Sequence, residues 1–247
     1  MLQSKSTAVS SEEAHTPISS RFAITWETQI ADKIHQLIID QKTDTKKTFL
    51  VAVVGIPGSG KTTSSKILSD ALDSQKITNI VMPMDGYHYP LSTLQAMDNA
   101  NPNDNNFVYR RGAPDTFNSS SLKQDLKNIK ASQGKIHIPG FDHAKGDPEP
   151  NMYTYDPSLH RVLICEGLYL LHSNDGWKDI GDCFDLSVFI KANVDVCVDR
   201  LKVRNLCIPG YTKEEIIVRC DAVDRANAMT VLASSVRADF IMDSMAL

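Results

Sequence analysis

The chain has 247 residues, 42% of them hydrophobic and 23% charged, with a formal net charge of -4. These proportions suit one globular domain with a substantial core, and the slightly acidic balance argues against a general nucleic-acid-binding surface. No apolar run approaches the roughly 18 residues of a membrane helix, and five widely spaced cysteines without a C-x-x-C pair suit free thiols in a reducing, cytoplasmic setting.

Residues 1–20 are rich in Ser, Thr and Glu and lack an apolar signal core, so they read as a disordered tail ahead of a single domain over 21–247. From Trp26, Ile30, Ile34, Leu37 and Ile38 recur at helical spacing and predict a helix to about Asp40. The core starts near residue 48. Phe49–Val54 is a continuous apolar run, the mark of a strand covered on both faces in a parallel sheet. Ile67, Leu68, Ala71 and Leu72 then form the stripe of a second helix. A strand-like stretch over 79–84 ends at Asp85-Gly86. Asp-Gly is also a hairpin signal, but Pro90 and a Ser/Thr/Gln stretch lead away with no matching strand, so Gly86 is expected to turn the backbone at the mouth of a site. A polar section over 99–106 precedes a helix around 119–131. Strands are predicted over Lys135–Ile138, Val162–Cys165, Leu186–Ile190 and Phe240–Met242, with a long helical segment over 213–234. Strands alternating with helices imply a three-layer α/β fold with a mostly parallel sheet.

Gly55-Ile56-Pro57-Gly58-Ser59-Gly60-Lys61-Thr62, followed by Thr63, satisfies G-x-x-x-x-G-K-[ST] between a buried strand and an amphipathic helix. Glycines let backbone N–H groups converge on phosphate oxygens, and the helix N-terminus adds positive partial charge. Lys61 would reach the β- and γ-phosphates, and the Thr62 hydroxyl would ligate Mg²⁺. ATP or GTP is thereby implied. The guanine motif N-K-x-D is absent, which leaves a small-molecule kinase, a mechanical ATPase and a nucleotide-gated binding protein ahead of a signalling GTPase.

In a doubly wound sheet, ligands gather at the carboxyl ends of the strands. Asp85 and Glu166 each stand just past such an end, so with Lys61 they would surround one Mg-nucleotide. A carboxylate there can orient an alcohol and take its proton, or hold Mg²⁺ through water. Arg110 and Arg111 could fork onto a phosphate or carboxylate of an acceptor, or simply be solubilising. In RCDAVDRANA, Asn227 shares the buried line of Ile216, Cys220, Val223 and Val231 and reads as a hydrogen-bond clamp, while Asp221 and Arg225 form an i,i+4 pair.

The ordered set GIPGSGKTT, MDGYHY, RRGAPDTFN, PGFDHAKGDP, ICEGLYLL, the arginines of DRLKVRN and RCDAVDRANA resembles P-loop kinases of the uridine kinase and phosphoribulokinase type, with pantothenate kinase as a relative. The resemblance covers roughly residues 49–243. It implies a P-loop NTPase fold with a helical lid over about 198–212, Asp85 as catalytic base and Glu166 near the metal. Arg200 and Arg204 would close over ATP and neutralise the transferring phosphoryl group. Tyr87 and His88 would line the acceptor pocket, Asp115 would hold a hydroxyl, and His143 would contact substrate. ATP, Mg²⁺ and a small-molecule hydroxyl acceptor are the expected partners, with neither nucleic acid nor membrane. Where uridine kinases carry His-Pro-Asp-Ala-Phe-Asp, this chain has Ala113-Pro114-Asp115-Thr116-Phe117-Asn118, so a nucleoside acceptor is not implied. A nucleotide-binding regulatory protein and an NTPase using water as acceptor stand as the alternatives.

Overall fold

The computed structural model describes residues 25–40, 47–100, 106–142, 144–174, 176–208 and 210–244; the expected tail over 1–20 and His143 lie outside them. Helix α1 (Trp26–Asp40) is followed by β1 (Phe49–Gly55), α2 (Lys61–Ser74) and β2 (Asn79–Pro83). A 3-10 turn over Met84–Tyr87 leads to α3 (Leu91–Ala100), α4 (Ser119–Lys130), β3 (Ile136–Asp142) and β4 (Asp147–Tyr155). Then come β5 (Val162–Gly167), β6 (Leu186–Lys191), α5 (Val194–Arg204), α6 (Lys213–Arg219), a π-helical segment over Cys220–Asp224, α7 (Arg225–Ala233) and β7 (Phe240–Asp243).

Five strands form one parallel sheet in the order β2-β5-β1-β6-β7. Every residue of β1 and of β5 is buried, as the unbroken apolar run requires of a strand covered on both faces. Successive side chains of β1 part to opposite faces. Phe49, Val51 and Val53 join Ile30 and Ile34 of α1 and Leu68 and Leu72 of α2 in one core. Leu50, Ala52 and Val54 join Leu122 and Leu126 of α4, Val231 of α7, Tyr169 and Trp177 in the other. The expected three layers and mostly parallel sheet are therefore present, with β1 at the centre. A third, small cluster of Val198, Leu201, Ile216 and Cys220 fastens α5 to α6, giving the segment expected as a lid a core of its own.

Three elements depart from the sequence reading. The strand expected over Lys135–Ile138 lies outside the main sheet: β3 pairs antiparallel with β4 in a separate two-stranded sheet. β4 hides in the sequence because Asp147-Pro148-Glu149-Pro150 carries two prolines, which an edge position tolerates and a central strand does not. α3 was hidden too, since it buries only Leu94 and so shows no apolar stripe. The helical run near 213–234 is present but widens to i→i+5 bonding over Cys220–Asp224. All five cysteines are free, and no helix of the described residues is long and apolar enough to cross a membrane.

Candidate active site

The strand register brings the site together. Glu166 on β5 stands opposite Val53 of β1 and Pro83 of β2, so the phosphate loop, Asp85 and Glu166 emerge from three adjacent strand ends. In the loop, Gly58 and Gly60 have φ of 78° and 88°, a left-handed backbone that glycine adopts without strain. A side chain at Gly58 would also press the backbone of α5, with its Cβ 2.9 Å from the Cys197 carbonyl oxygen. α2 begins at Lys61 with Gly60 as N-cap and no side-chain cap, which leaves its first-turn N–H groups for phosphate.

Lys61 Nζ donates to the Ile56 carbonyl at 3.2 Å. Burial pulls its pKa down, the carboxylates of Glu166 and Asp85 push it back up, and Arg204 lowers it further. Lys61 thus lies within the field of Glu166, Asp85 and Arg204. Thr62 Oγ1 donates to Glu166 Oε1 at 2.9 Å, and Glu166 is only 7% exposed. Thr62, Glu166 and Asp85 offer hard oxygen donors. Among the described residues no three His, Cys, Asp or Glu side chains gather as a metal cage. Such a sparse oxygen set fits Mg²⁺, which keeps most of its ligands as water and phosphate. Arg200 Nη1 lies 3.4 Å from the Gly58 carbonyl, and Arg204 Nε is 3.4 Å from Asn205 Oδ1. Arg200 therefore stands beside the phosphate loop, while Arg204 contacts its neighbour Asn205.

Asp85 sits in the 3-10 turn that follows β2 directly. Gly86 is needed here for close approach instead of for a turn. A Cβ at Gly86 would lie 2.6 Å from the Pro139 carbonyl carbon, so the turn is pressed on β3 where its register shifts past Ile138. His88 Nδ1 is 2.9 Å from the Asp85 carbonyl, and its ring centroid is 3.9 Å from that of Phe117. A carbonyl can only accept, so Nδ1 carries the proton, and burial holds the imidazole pKa below its usual value. His88 is therefore a neutral wall beside Asp85.

Tyr87 does not line the acceptor space. It is 3% exposed within the core, and its hydroxyl donates to Asp125 Oδ2 of α4 at 2.8 Å. Burial and the Asp125 charge both push the phenol pKa up. In the neighbouring loop, Arg110 grips Asp115 through two bonds of 3.1 and 2.7 Å. Arg111 is an internal strut, against the expectation of an acceptor contact. It donates to the Gly146 carbonyl at 2.6 Å and to Asp147 Oδ1 at 2.5 Å, with its guanidinium 5.5 Å from the Phe141 ring centroid.

The sequence reading passed over two residues of this region. Tyr169, fully buried, donates to the Gly112 carbonyl at 2.7 Å; in the sequence it looks like one more core aromatic of ICEGLYLL. Arg219 donates to the carbonyl of Arg111 at 2.7 Å and to that of Tyr109 at 3.3 Å. Asn227 is buried beside Gly112, but the clamp on the loop is Arg219, in the same RCDAVDRANA motif. A polar side chain one step off a buried stripe gives no sign of being the buried donor.

Comparison with known proteins shows the family. Residues 50–247 match the model of the Phosphoribulokinase / Uridine kinase family. A Schizosaccharomyces pombe protein, provisionally named a uridine kinase, is 34% identical over 205 residues, covering 80% of this chain and 84% of its own. A pantothenate kinase of Agrobacterium fabrum is 30% identical over 177 residues, covering 65% of this chain, which spans about half that enzyme's length, 52%. A crystal structure from Silicibacter sp. TM1040, provisionally described as a fructose transport system kinase, superposes with a TM-score of 0.76 at 28% identity, covering 87% of this chain and 98% of the other. With four-fifths of its length matched in order and its nucleotide loop built as the motif demands, the chain belongs to the phosphoribulokinase / uridine kinase family.

Proposed function

We propose that the protein is a Mg²⁺-dependent kinase that passes the γ-phosphoryl group of ATP to a hydroxyl of a small metabolite, with Asp85 as the base. The supporting observation is the convergence of Lys61, the Thr62–Glu166 pair and Asp85 on three adjacent strand ends. The loop N–H groups and Lys61 hold the β- and γ-phosphates. Thr62 and Glu166, with Asp85 nearby, would hold Mg²⁺, which supplies charge neutralisation across the phosphate oxygens when bound. The acceptor O–H proton passes to the Asp85 carboxylate while the acceptor oxygen bonds to the γ-phosphorus. The bond from that phosphorus to the β-bridging oxygen breaks, and ADP leaves. Arg200 and Arg204 would offset the charge on the equatorial oxygens.

His88 contacts the Asp85 carbonyl and packs on Phe117, and the Arg110–Asp115 pair lies just upstream of Phe117 in the same loop, so we assign both to the acceptor side. The paired charges there favour an acceptor bearing hydroxyls over one recognised by a free cation alone. The names of the relatives include a uridine, a pantothenate and a fructose transport kinase, so family membership leaves the acceptor to be found by assay. Nucleosides, sugars, sugar phosphates and pantothenate are incubated with Mg-ATP, and phosphorylated product is followed by mass spectrometry. Transfer to one acceptor, lost in Asp85→Asn, supports the reading. ATP consumption at the same rate without any acceptor would replace it with an NTPase.

A further inference from the structure

We infer that Arg219 and Asp224 form a positioning relay between the nucleotide lid and the acceptor loop, an inference that rests on the kinase reading above. Arg219, the last residue of α6, is 9% exposed. Its Nη2 and Nε donate to the carbonyls of Arg111 and Tyr109 at 2.7 and 3.3 Å. These two carbonyls flank Arg110, so Arg219 sets the direction from which Arg110 meets Asp115. On its other side, Arg219 Nη1 lies 3.5 Å from Asp224 Oδ2. In a regular α-helix, neighbours on one face are three or four residues apart. Arg219 and Asp224 are five apart, and the i→i+5 bonding of the intervening π segment brings them together.

Asp224 continues the chain of contacts to the lid. Its Oδ2 accepts from Asn205 Nδ2 at 3.4 Å, and Asn205 Oδ1 accepts from Arg204 Nε at 3.4 Å. Arg204 ends α5, the helix that reaches the phosphate loop where Arg200 Nη1 lies 3.4 Å from the Gly58 carbonyl, and its charge also lowers the Lys61 pKa. The path therefore runs from the phosphate site through Arg204, Asn205, Asp224 and Arg219 to the backbone on either side of Arg110. Asn205 and Arg219 are both buried, so breaking a link leaves polar groups without water to replace their partners.

The two ends of the relay differ in tightness. The bond from Arg219 to the Arg111 carbonyl, 2.7 Å, is short, while the three links from Arg204 to Arg219 are 3.4 to 3.5 Å, beyond the usual range. The lid end has slack at every link, whereas the loop end is anchored by one short bond beside a 3.3 Å one. Movement of Arg204 onto nucleotide phosphates tightens the slack links and orders the loop, so nucleotide and acceptor bind with positive coupling.

The test is hydrogen–deuterium exchange on the full chain, with and without a Mg-bound non-hydrolysable ATP analogue, in wild type, Arg219→Gln and Asp224→Asn. In wild type the analogue is expected to slow exchange at residues 55–63 and, by about fivefold or more, at residues 107–112. Both variants should keep the first protection and lose the second. Asp224→Asn leaves the Arg219 grip on the loop carbonyls intact, so it tests the relay even if Arg219→Gln folds poorly. Equal protection of 107–112 in wild type and Asp224→Asn would overturn the relay, as would a protected 55–63 with an unprotected 107–112 in wild type. No protection of 55–63 in wild type would instead remove the nucleotide reading, and the relay with it.

Discussion

The nucleotide half of the site and the acceptor half proposed above are built in different ways. On the nucleotide side, eight consecutive residues carry the left-handed glycines, the lysine and the metal-side hydroxyl, and the adjoining helix supplies its own N-terminus. The acceptor side is assembled from the 3-10 turn over Met84–Tyr87, the loop around Arg110, the β3–β4 sheet and Arg219. It is held by buried polar struts and one close backbone contact instead of a single motif. Phosphate recognition is the same task for any acceptor, so local sequence can encode it. Acceptor recognition uses parts that can change separately while the phosphate loop stays intact.

The largest effect should come from Asp85→Asn, which joins the two halves. The transfer rate is expected to fall by about 10²- to 10⁴-fold, with nucleotide affinity measured by calorimetry nearly unchanged. Comparable losses of both would place Asp85 on the nucleotide side alone.

Two glycine substitutions probe the same contrast through stability. Gly86→Ala forces a Cβ into the Pro139 carbonyl; it should cost about 3 kcal/mol and lower Tm by roughly 6–12 °C. Gly60 has open space around it and only its φ of 88° to satisfy. Gly60→Ala should therefore cost about 1–2 kcal/mol, while weakening nucleotide binding. If thermal melts rank the two the other way, the acceptor side is not held by that backbone contact.

The two arginines of the acceptor loop should separate in a similar manner. Arg111→Gln removes a half-buried strut and should cost about 1–3 kcal/mol in urea denaturation. Arg110→Gln breaks a more exposed pair, worth about 1 kcal/mol or less, and should act mainly on the acceptor KM. Equal stability losses would contradict the different roles of the pair.

Acid should weaken the fold, in part through His88 on the acceptor side. Burial holds the His88 pKa below its unfolded value, so the unfolded chain binds its proton first as pH falls. The stability contributed by neutral His88 is complete above about pH 6.5. It is lost as pH drops from there through the folded value, by at most about 1.4 kcal/mol per pH unit. His160 and His172 are shifted in the same direction. His88→Gln should accordingly shrink, without abolishing, the fall in urea midpoint between pH 7 and pH 5.5. An unchanged fall would mean that His88 takes up its proton as readily in the folded protein.

The smallest effect belongs to Tyr87→Phe. Loss of the bond to Asp125 should cost about 1 kcal/mol and leave acceptor KM unaltered. A raised KM would return Tyr87 to the acceptor wall.

By itself the sequence determined the elements that depend on neighbours close along the chain. The phosphate loop, the doubly buried β1, the helix over 26–40 and the helical run after 213 are all where spacing and glycine placement put them. Left-handed φ values and apolar periodicity are local properties, and they survive being read one segment at a time. The tertiary structure alone decided the strand order and the departure of β3 from the main sheet to pair with β4. It also turned Tyr87 toward Asp125 and tied Arg111 to Asp147 and Arg219 to the loop. The last three contacts join residues 38, 36 and 108 positions apart. An arginine or tyrosine looks the same in a sequence whether it faces solvent, substrate or a buried carbonyl, because only packing removes the water that would otherwise satisfy it.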